Sequence, residues 1–418
     1  MKRFKSSTLL FVLSAVAVFA VIQILMSLGI LNSFWNTILR LAGVMAIVSL
    51  GLNLIYGFNG QFSLGQFGFY AIGAYTAADI TYRWTQLHNA LGLTIILAVG
   101  LLVGVAILLV SRVVNKMHGL DTLSAFAMYL AGVLVAAFVA VRLGTLAATP
   151  VTALLASLPQ NIALTIVFLI AVLLGGLIAA EVSFLFGLPI FTLGSDYFGI
   201  ATLGFTIIIK VLLDNSDTML GFEEMKGARG MIGIPKITTW FWVFFFLFFT
   251  IVVIRNLLNS SYGRAIVSIR EDETAATSMG INVAYYKNIT FVIGSLFAGL
   301  AGGLYAHING FLHPNTFSFI KSFDPLIIVV FGGLGSITGT VAASFGWALV
   351  LEGVLRLILP EGFETWRFVV YPVLLLVMML LKPQGLFGSF EIPFIRAVIP
   401  SLKKKDQAAE ITSPKEAA

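Results

Sequence analysis

The chain has 418 residues, 59% hydrophobic and only 11% charged, with a mean hydropathy of +1.00 and a formal net charge of +6. Soluble domains carry about 25% charged residues, so a water-soluble globular protein is excluded and a multi-span membrane protein remains. Cysteine is absent, which removes disulfides, thiolate catalysis and Cys-ligated metals.

A membrane-crossing helix needs about 20 apolar residues, and uncharged runs of that size recur without any alternation of polarity, so the expected fold is an all-α polytopic bundle rather than a barrel. In chain order the predicted spans are 8–30, 36–56, 61–80, 92–112, 120–141, 161–186, 197–213, 238–256, 288–307, 323–334, 338–358 and 366–381. The basic residues Lys2, Arg3 and Lys5 precede the first. A secretory leader is the competing reading there, but the apolar run exceeds the usual 7 to 15 residues, so it is taken as a retained span. The segment 323–334 is too short to cross alone, and 197–213 ends on Lys210 and Asp214, which marks both as half-helix or re-entrant candidates.

Basic residues cluster before the first span, in the loop 259–287 and at Lys403 to Lys405, and positive-inside reasoning places all three in the cytoplasm. Arg112, Lys116, Arg255 and Lys382 then also fall inside, while 214–236 and 307–321 fall outside. The expected organisation is a membrane domain over 1–400 and a disordered cytoplasmic tail over 401–418, whose lysines rest against membrane lipid.

The stretch from Asn259 to Lys287 is a polar island between apolar runs. Glu271, Asp272 and Glu273 precede alanines and a glycine, Gly280, which are the start and stop signals of a short helix. Ile266, Ile269 and Arg270 are spaced for a second short helix before it. Two short helices at a charged corner make a knob whose exposed Ala275, Ala276 and Met279 would enter a groove on a soluble partner, the alternative being a helix lying on headgroups.

Further forward, Asn59, Gly60, Gln61, Ser63 and Gln66 interrupt an apolar region, and Ser195 to Phe205 repeats the pattern with Asp196, Thr202 and Gly204. Amide and hydroxyl groups at membrane depth need protein or a water-lined cavity beside them, which points to a pathway or to helix packing. The pairs Gly299/Gly303 and Gly335/Gly339 have packing spacing, and Phe331 to Thr340 reads as a bend between membrane segments rather than a phosphate loop. Glu181, Lys210, Glu352 and Arg356 lie near predicted span ends, which argues against an ion-driven carrier. The four histidines lack ligand spacing and no nucleophile or Walker sequence is present, so neither an enzyme nor a metal or cofactor site is expected, and no nucleic-acid partner either.

Five segments in this order resemble the LivM type of branched-chain amino-acid ABC transporter permease: NLIYGFNGQFSLGQFGFYAIGAYTAA, DYFGIATLGF, SSYGRAIVSIREDETAATSMGINVAYYKNITFVIGSLFAGLAGGLYAH, IVVFGGLGSITGTVAA and LLKPQGLFG. The resemblance implies a type II importer-like permease in the bacterial cell membrane, paired with a LivH-like permease, two LivG/LivF-like ATP-binding subunits that hydrolyse the ATP, and an extracytoplasmic substrate-binding protein. It assigns Arg264, Arg270, Glu271, Asp272, Glu273, Ala275, Ala276, Met279 and Gly280 to ATPase coupling. Gln61, Phe62, Ser63, Gly65, Asp196, Tyr197, Thr202 and Gly204 would flank the translocation route. The implied cargo is a branched-chain amino acid, with urea or short amides, or an ion-coupled carrier, as alternatives. The chain departs from the pattern in extra apolar sequence over 112–160, implying an added span or hairpin, and in the outer stretch KGARGMIGIP.

Overall fold

The computed structural model describes residues 2–29, 31–117, 122–191, 195–218 and 223–354, with 373, 376–377, 380–382, 384–388 and 391–392. The predicted span 366–381 falls largely outside the described residues and the tail 401–418 wholly so. The helices are α1 (Lys2–Ser27), α2 (Ser33–Leu52), α3 (Gln66–Gln86), α4 (Leu91–Lys116), α5 (Thr122–Ala156), α6 (Gln160–Ile190), α7 (Ser195–Asp214), α8 (Trp240–Asn259), α9 (Ser261–Glu271), α10 (Glu273–Ser278), α11 (Val283–Asn309), α12 (Phe323–Gly332) and α13 (Ile337–Trp347). Two π-helical segments, Asn53–Phe58 and Ala348–Val354, continue α2 and α13. Among the described residues eight helices are long and apolar enough to cross a membrane, so this is a multi-pass membrane protein.

The centre is a triad of α3, α6 and α11. With little hydrophobic drive between helices inside lipid, close approach depends on small residues, and three glycines supply it. A Cβ on Gly73 would lie 2.5 Å from the Gly299 carbonyl carbon and nearer still to its oxygen. One on Gly175 would lie 2.7 Å from the Gly73 oxygen, and one on Gly299 the same distance from that of Gly175. A similar approach joins α2 to α11 at Gly51 and Gly294. Because α3 is covered on these sides, it tolerates Gln66, Asp79 and Arg83 and is not among the eight helices long and apolar enough to cross a membrane.

The structure moves several predicted boundaries. α3 begins at Gln66 rather than 61, leaving Asn59–Gly65 outside the α-helices. α5 runs to Ala156 instead of stopping near 141, carrying Pro150 inside it. It packs on α4 through Gly144 against Ile95 and Gly132 against Val110, so the apolar sequence over 122–156 forms a single long helix. α6 extends to Ile190, so Glu181 is buried well inside the helix against Gly104 rather than at its end. The stretch 307–321, assigned to the outer side from its charges, packs onto the bundle: Phe317 is buried against Tyr70 and Tyr75 of α3, and His307 is fully buried, 2.8 Å from the Thr81 hydroxyl. As predicted, α12 is a ten-residue helix, too short to span.

At one end of the bundle β1 (Met231–Ile232) pairs antiparallel with β2 (Phe311–Leu312), and Arg83 joins Asp79 at 3.0 Å and Glu224 at 3.2 Å. The other end carries α9 and α10.

Candidate functional site: a polar node beneath a two-helix knob

The knob forms from its own capping residues. Ser260 accepts from the Gly263 amide to start α9, and Asp272, extended at φ −158°, ends α9 and accepts from the Ala275 amide at 2.9 Å to start α10. Gly280, at φ +82°, follows α10 in the left-handed region that glycine tolerates best. Asn282 then caps α11. The α9 face bearing Ile266 and Ile269 is buried, Ile266 within the same core cluster as Ile254 and Leu258 of α8.

The nine residues assigned to the knob divide by direction. Eight of them, Arg264, Arg270, Glu271, Asp272, Glu273, Ala275, Met279 and Gly280, are exposed, Met279 to 83%. Ala276, expected on the outer surface, is instead 4% exposed, because a helix resting on the bundle must turn one side inward. Glu273 is tied within the chain by an ion pair to Lys287 at 2.6 Å. Arg270 folds back: its Cγ lies 3.4 Å from where a Gly60 Cβ would be, and its guanidinium donates to the Gly57 carbonyl.

Gly57 belongs to the π segment, where backbone geometry already departs from the α-helix. Asn53, fully buried, holds that segment to the bend between α12 and α13. Its amide donates to the Ser336 carbonyl and the Thr340 hydroxyl, both at 2.9 Å, and its oxygen accepts from the Gly335 amide at 2.9 Å. The bend is closed from a third side by the chain near its C-terminal end. The Leu386 amide donates to the Phe331 carbonyl at 2.8 Å, and Glu391 accepts from the Ile337 and Thr338 amides at the start of α13. A carboxylate there satisfies amides that the helix leaves open and complements its dipole.

After the π segment, Gly60 at φ +79° redirects the chain, Asn59 donates to Gln61 at 2.9 Å, and the extended stretch lies along α7. The Leu64 amide donates to the Thr202 hydroxyl at 3.0 Å and the Thr206 hydroxyl to the Leu64 carbonyl at 3.2 Å. Phe62 packs on Gly199, and Gly65 on Thr202. The two sets of pathway residues are thus brought together. Within them Gln61, Ser63, Gly65 and Thr202 are buried, whereas Phe62 and Tyr197 are exposed and Gly204 has open space before it. Asp196 lies in the first turn of α7, its side chain outside the described set. Gln66, at the first position of α3, is 1% exposed with neither end of its amide bonded. Asn53 is the residue that sequence reasoning missed. The signal available was the glycines at 57, 60 and 335, which mark backbone approached closely by something else.

All five sequence segments that carry the resemblance therefore touch this end of the molecule. The family model for the permease component of branched-chain amino acid transport systems matches residues 34–150 and, in a second match, 117–379; the overlap falls mostly on α5. The high-affinity branched-chain amino acid transport permease LivM of Escherichia coli is 28% identical over 410 residues, covering 89% of this chain and 72% of that protein. A probable LivM permease of Methanocaldococcus jannaschii is 26% identical over 57% of this chain and 72% of its own length. LivH of Escherichia coli is 28% identical over 43% of this chain and 55% of its own length. No solved structure gives a significant match.

Proposed function

Since this chain belongs to the family of branched-chain amino acid transport permease components, we propose that it forms one half of the membrane pathway of an ATP-driven importer for branched-chain amino acids. The other half is a LivH-like permease. Two ATP-binding subunits supply the energy and an extracytoplasmic binding protein delivers the cargo. The observation that carries this reading is the knob: a capped helix pair with a narrow exposed surface of Arg264, Glu271, Ala275 and Met279, seated by its other face on the bundle. A lipid-surface helix would present large apolar residues instead.

Arg112, Lys116, Arg255, Arg264, Arg270 and Lys287 belong to the knob end, so positive-inside reasoning puts it in the cytoplasm of a bacterial cell, with both chain termini there. The opposite loop, 214–236, then faces the binding protein. The cycle follows the alternating-access pattern: closure of the ATP-binding subunits moves the knob, and the bundle changes the side to which the pathway opens. This chain performs no covalent chemistry.

The test is reconstitution in proteoliposomes with the second permease, the ATP-binding subunits and the binding protein. Labelled leucine uptake is expected to require ATP and every subunit, with urea and acetamide failing to compete. Flux through this chain alone, driven by an ion gradient, would overturn the assignment. Glu271→Arg together with Met279→Arg is expected to release the ATP-binding subunits from the membrane complex.

A further inference from the structure

We propose that Arg270 is not a contact for the ATP-binding subunit but a strut that couples the knob rigidly to the broken end of α2, and through it to α7; this rests on the coupling role proposed for the knob.

Three observations carry it. Arg270 is the last basic residue of α9 and is exposed on the knob, yet its guanidinium donates to the Gly57 carbonyl, while its Cβ lies 3.6 Å from the position of a Gly60 Cβ. The bend between α12 and α13 closes on the same group, since a Cβ on Gly335 would lie 2.9 Å from the Arg270 guanidinium. The contacted backbone also lies outside regular α-helix bonding: a π segment, an extended stretch and a bend, joined by Asn53 and by the Leu64 bonds to Thr202 and Thr206. A displacement of α9 therefore reaches α7 through the Arg270–Gly57 hydrogen bond, the main chain from Gly57 to Leu64 and the Leu64 hydrogen bonds to Thr202 and Thr206, without passing through the glycine-packed triad. A guanidinium suits this role because it is charged at all relevant pH and planar, and hydrogen bonds to charged groups exceed neutral ones in strength.

The experiment uses the complete transporter and reads two quantities for each variant: retention of the ATP-binding subunits on the purified membrane complex, and leucine uptake per ATP hydrolysed. For Arg270→Ala, retention is expected within twofold of wild type while uptake per ATP falls at least tenfold. Loss of retention in parallel with uptake would make Arg270 a partner contact and overturn the proposal, as would uptake within twofold of wild type. Failure of the wild-type complex to assemble or to use ATP would instead sink the functional reading itself.

A purely folding role is separated by covalent replacement. The chain has no cysteine, and the 3.6 Å spacing of Cβ positions falls within the range of about 3.5–4.5 Å that a disulfide needs. In the double variant Gly60→Cys with Arg270→Cys, uptake is expected to be low when reduced and to recover on oxidation, because a strut stays in contact throughout the cycle. Oxidation that blocks uptake would show that the contact must open, and would overturn the strut. This measurement also serves if Arg270→Ala does not accumulate in the membrane.

Discussion

Gly73→Ala adds one methyl group at the seam of α3 and α11, where its carbon would sit 2.5 Å from the Gly299 carbonyl carbon. Unstrained contact begins near 3.4 Å and the Gly299 oxygen is nearer still, so the two helices must part by more than about 1 Å, a gap that forfeits about half or more of each dispersion contact along the seam. The strain cannot relax locally, because Gly175 of α6 approaches the same residue from another side, its Cβ position 2.7 Å from the Gly73 oxygen. Overpacking of this kind costs about 3 kcal/mol, near the upper end of its usual range. The matched control is Gly204→Ala on α7, where an added Cβ meets nothing within 4 Å; there the better helix propensity of alanine is worth up to about 1 kcal/mol in favour. Both variants are to be compared in detergent, by the fraction of monodisperse protein that survives a heating series. Gly73→Ala should lose folded protein well below the wild-type temperature, and Gly204→Ala should match or exceed wild type. Equal stability of the two alanine variants would refute the glycine-seam account of the core.

The node and the far end of α3 give two more expectations. Asn53→Ala leaves the part-buried Gly335 amide without its acceptor and is expected to cost about 2 kcal/mol in the same heating assay, whereas replacement of an exposed knob residue such as Arg264→Ala should leave stability unchanged. His307 and Thr81, 2.8 Å apart and both fully buried, should show a coupling of about 1 kcal/mol in a double-mutant cycle of His307→Phe and Thr81→Ala; additive effects would show that the contact contributes nothing.

Much of this architecture was readable before any coordinates. Uncharged runs marked most of the helices because lipid imposes length and apolarity together, and the acids, alanines and glycine of the knob announced its caps. The misreadings share a physical origin: they concern surfaces covered by protein rather than lipid or water. The span predicted over 120–141 continues to Ala156 as α5, because a transmembrane helix with partners tolerates an interior proline, here Pro150. Charge placed 307–321 on the outer side but gave no sign that Phe317 anchors the segment among the aromatic rings of α3. Ala276 sits on a six-residue helix, too short for periodicity to say which side faces inward. Arg270 could be placed on α9 but not aimed, because its partner carbonyl lies 213 residues away in sequence.

Two kinds of helix contact divide the molecule mechanically. At the α3–α6–α11 seam, backbones touch through glycines, and any sliding brings carbonyls into collision, so the triad moves as a body. At the node, contacts are hydrogen bonds from side chains to backbone atoms on segments already outside α geometry, where bending disrupts fewer helical bonds. Movement imposed on α9 in the proposed cycle therefore concentrates at residues 53–65 and 333–336 rather than in the core. The ties from Arg270 to the Gly57 carbonyl and from Asn53 to the Gly335 amide and Ser336 carbonyl end on main-chain atoms, so they survive changes to neighbouring side chains. They do not survive a side chain at Gly57 itself, whose Cβ would collide with the Asn53 amide and lie 2.6 Å from the Gly335 nitrogen.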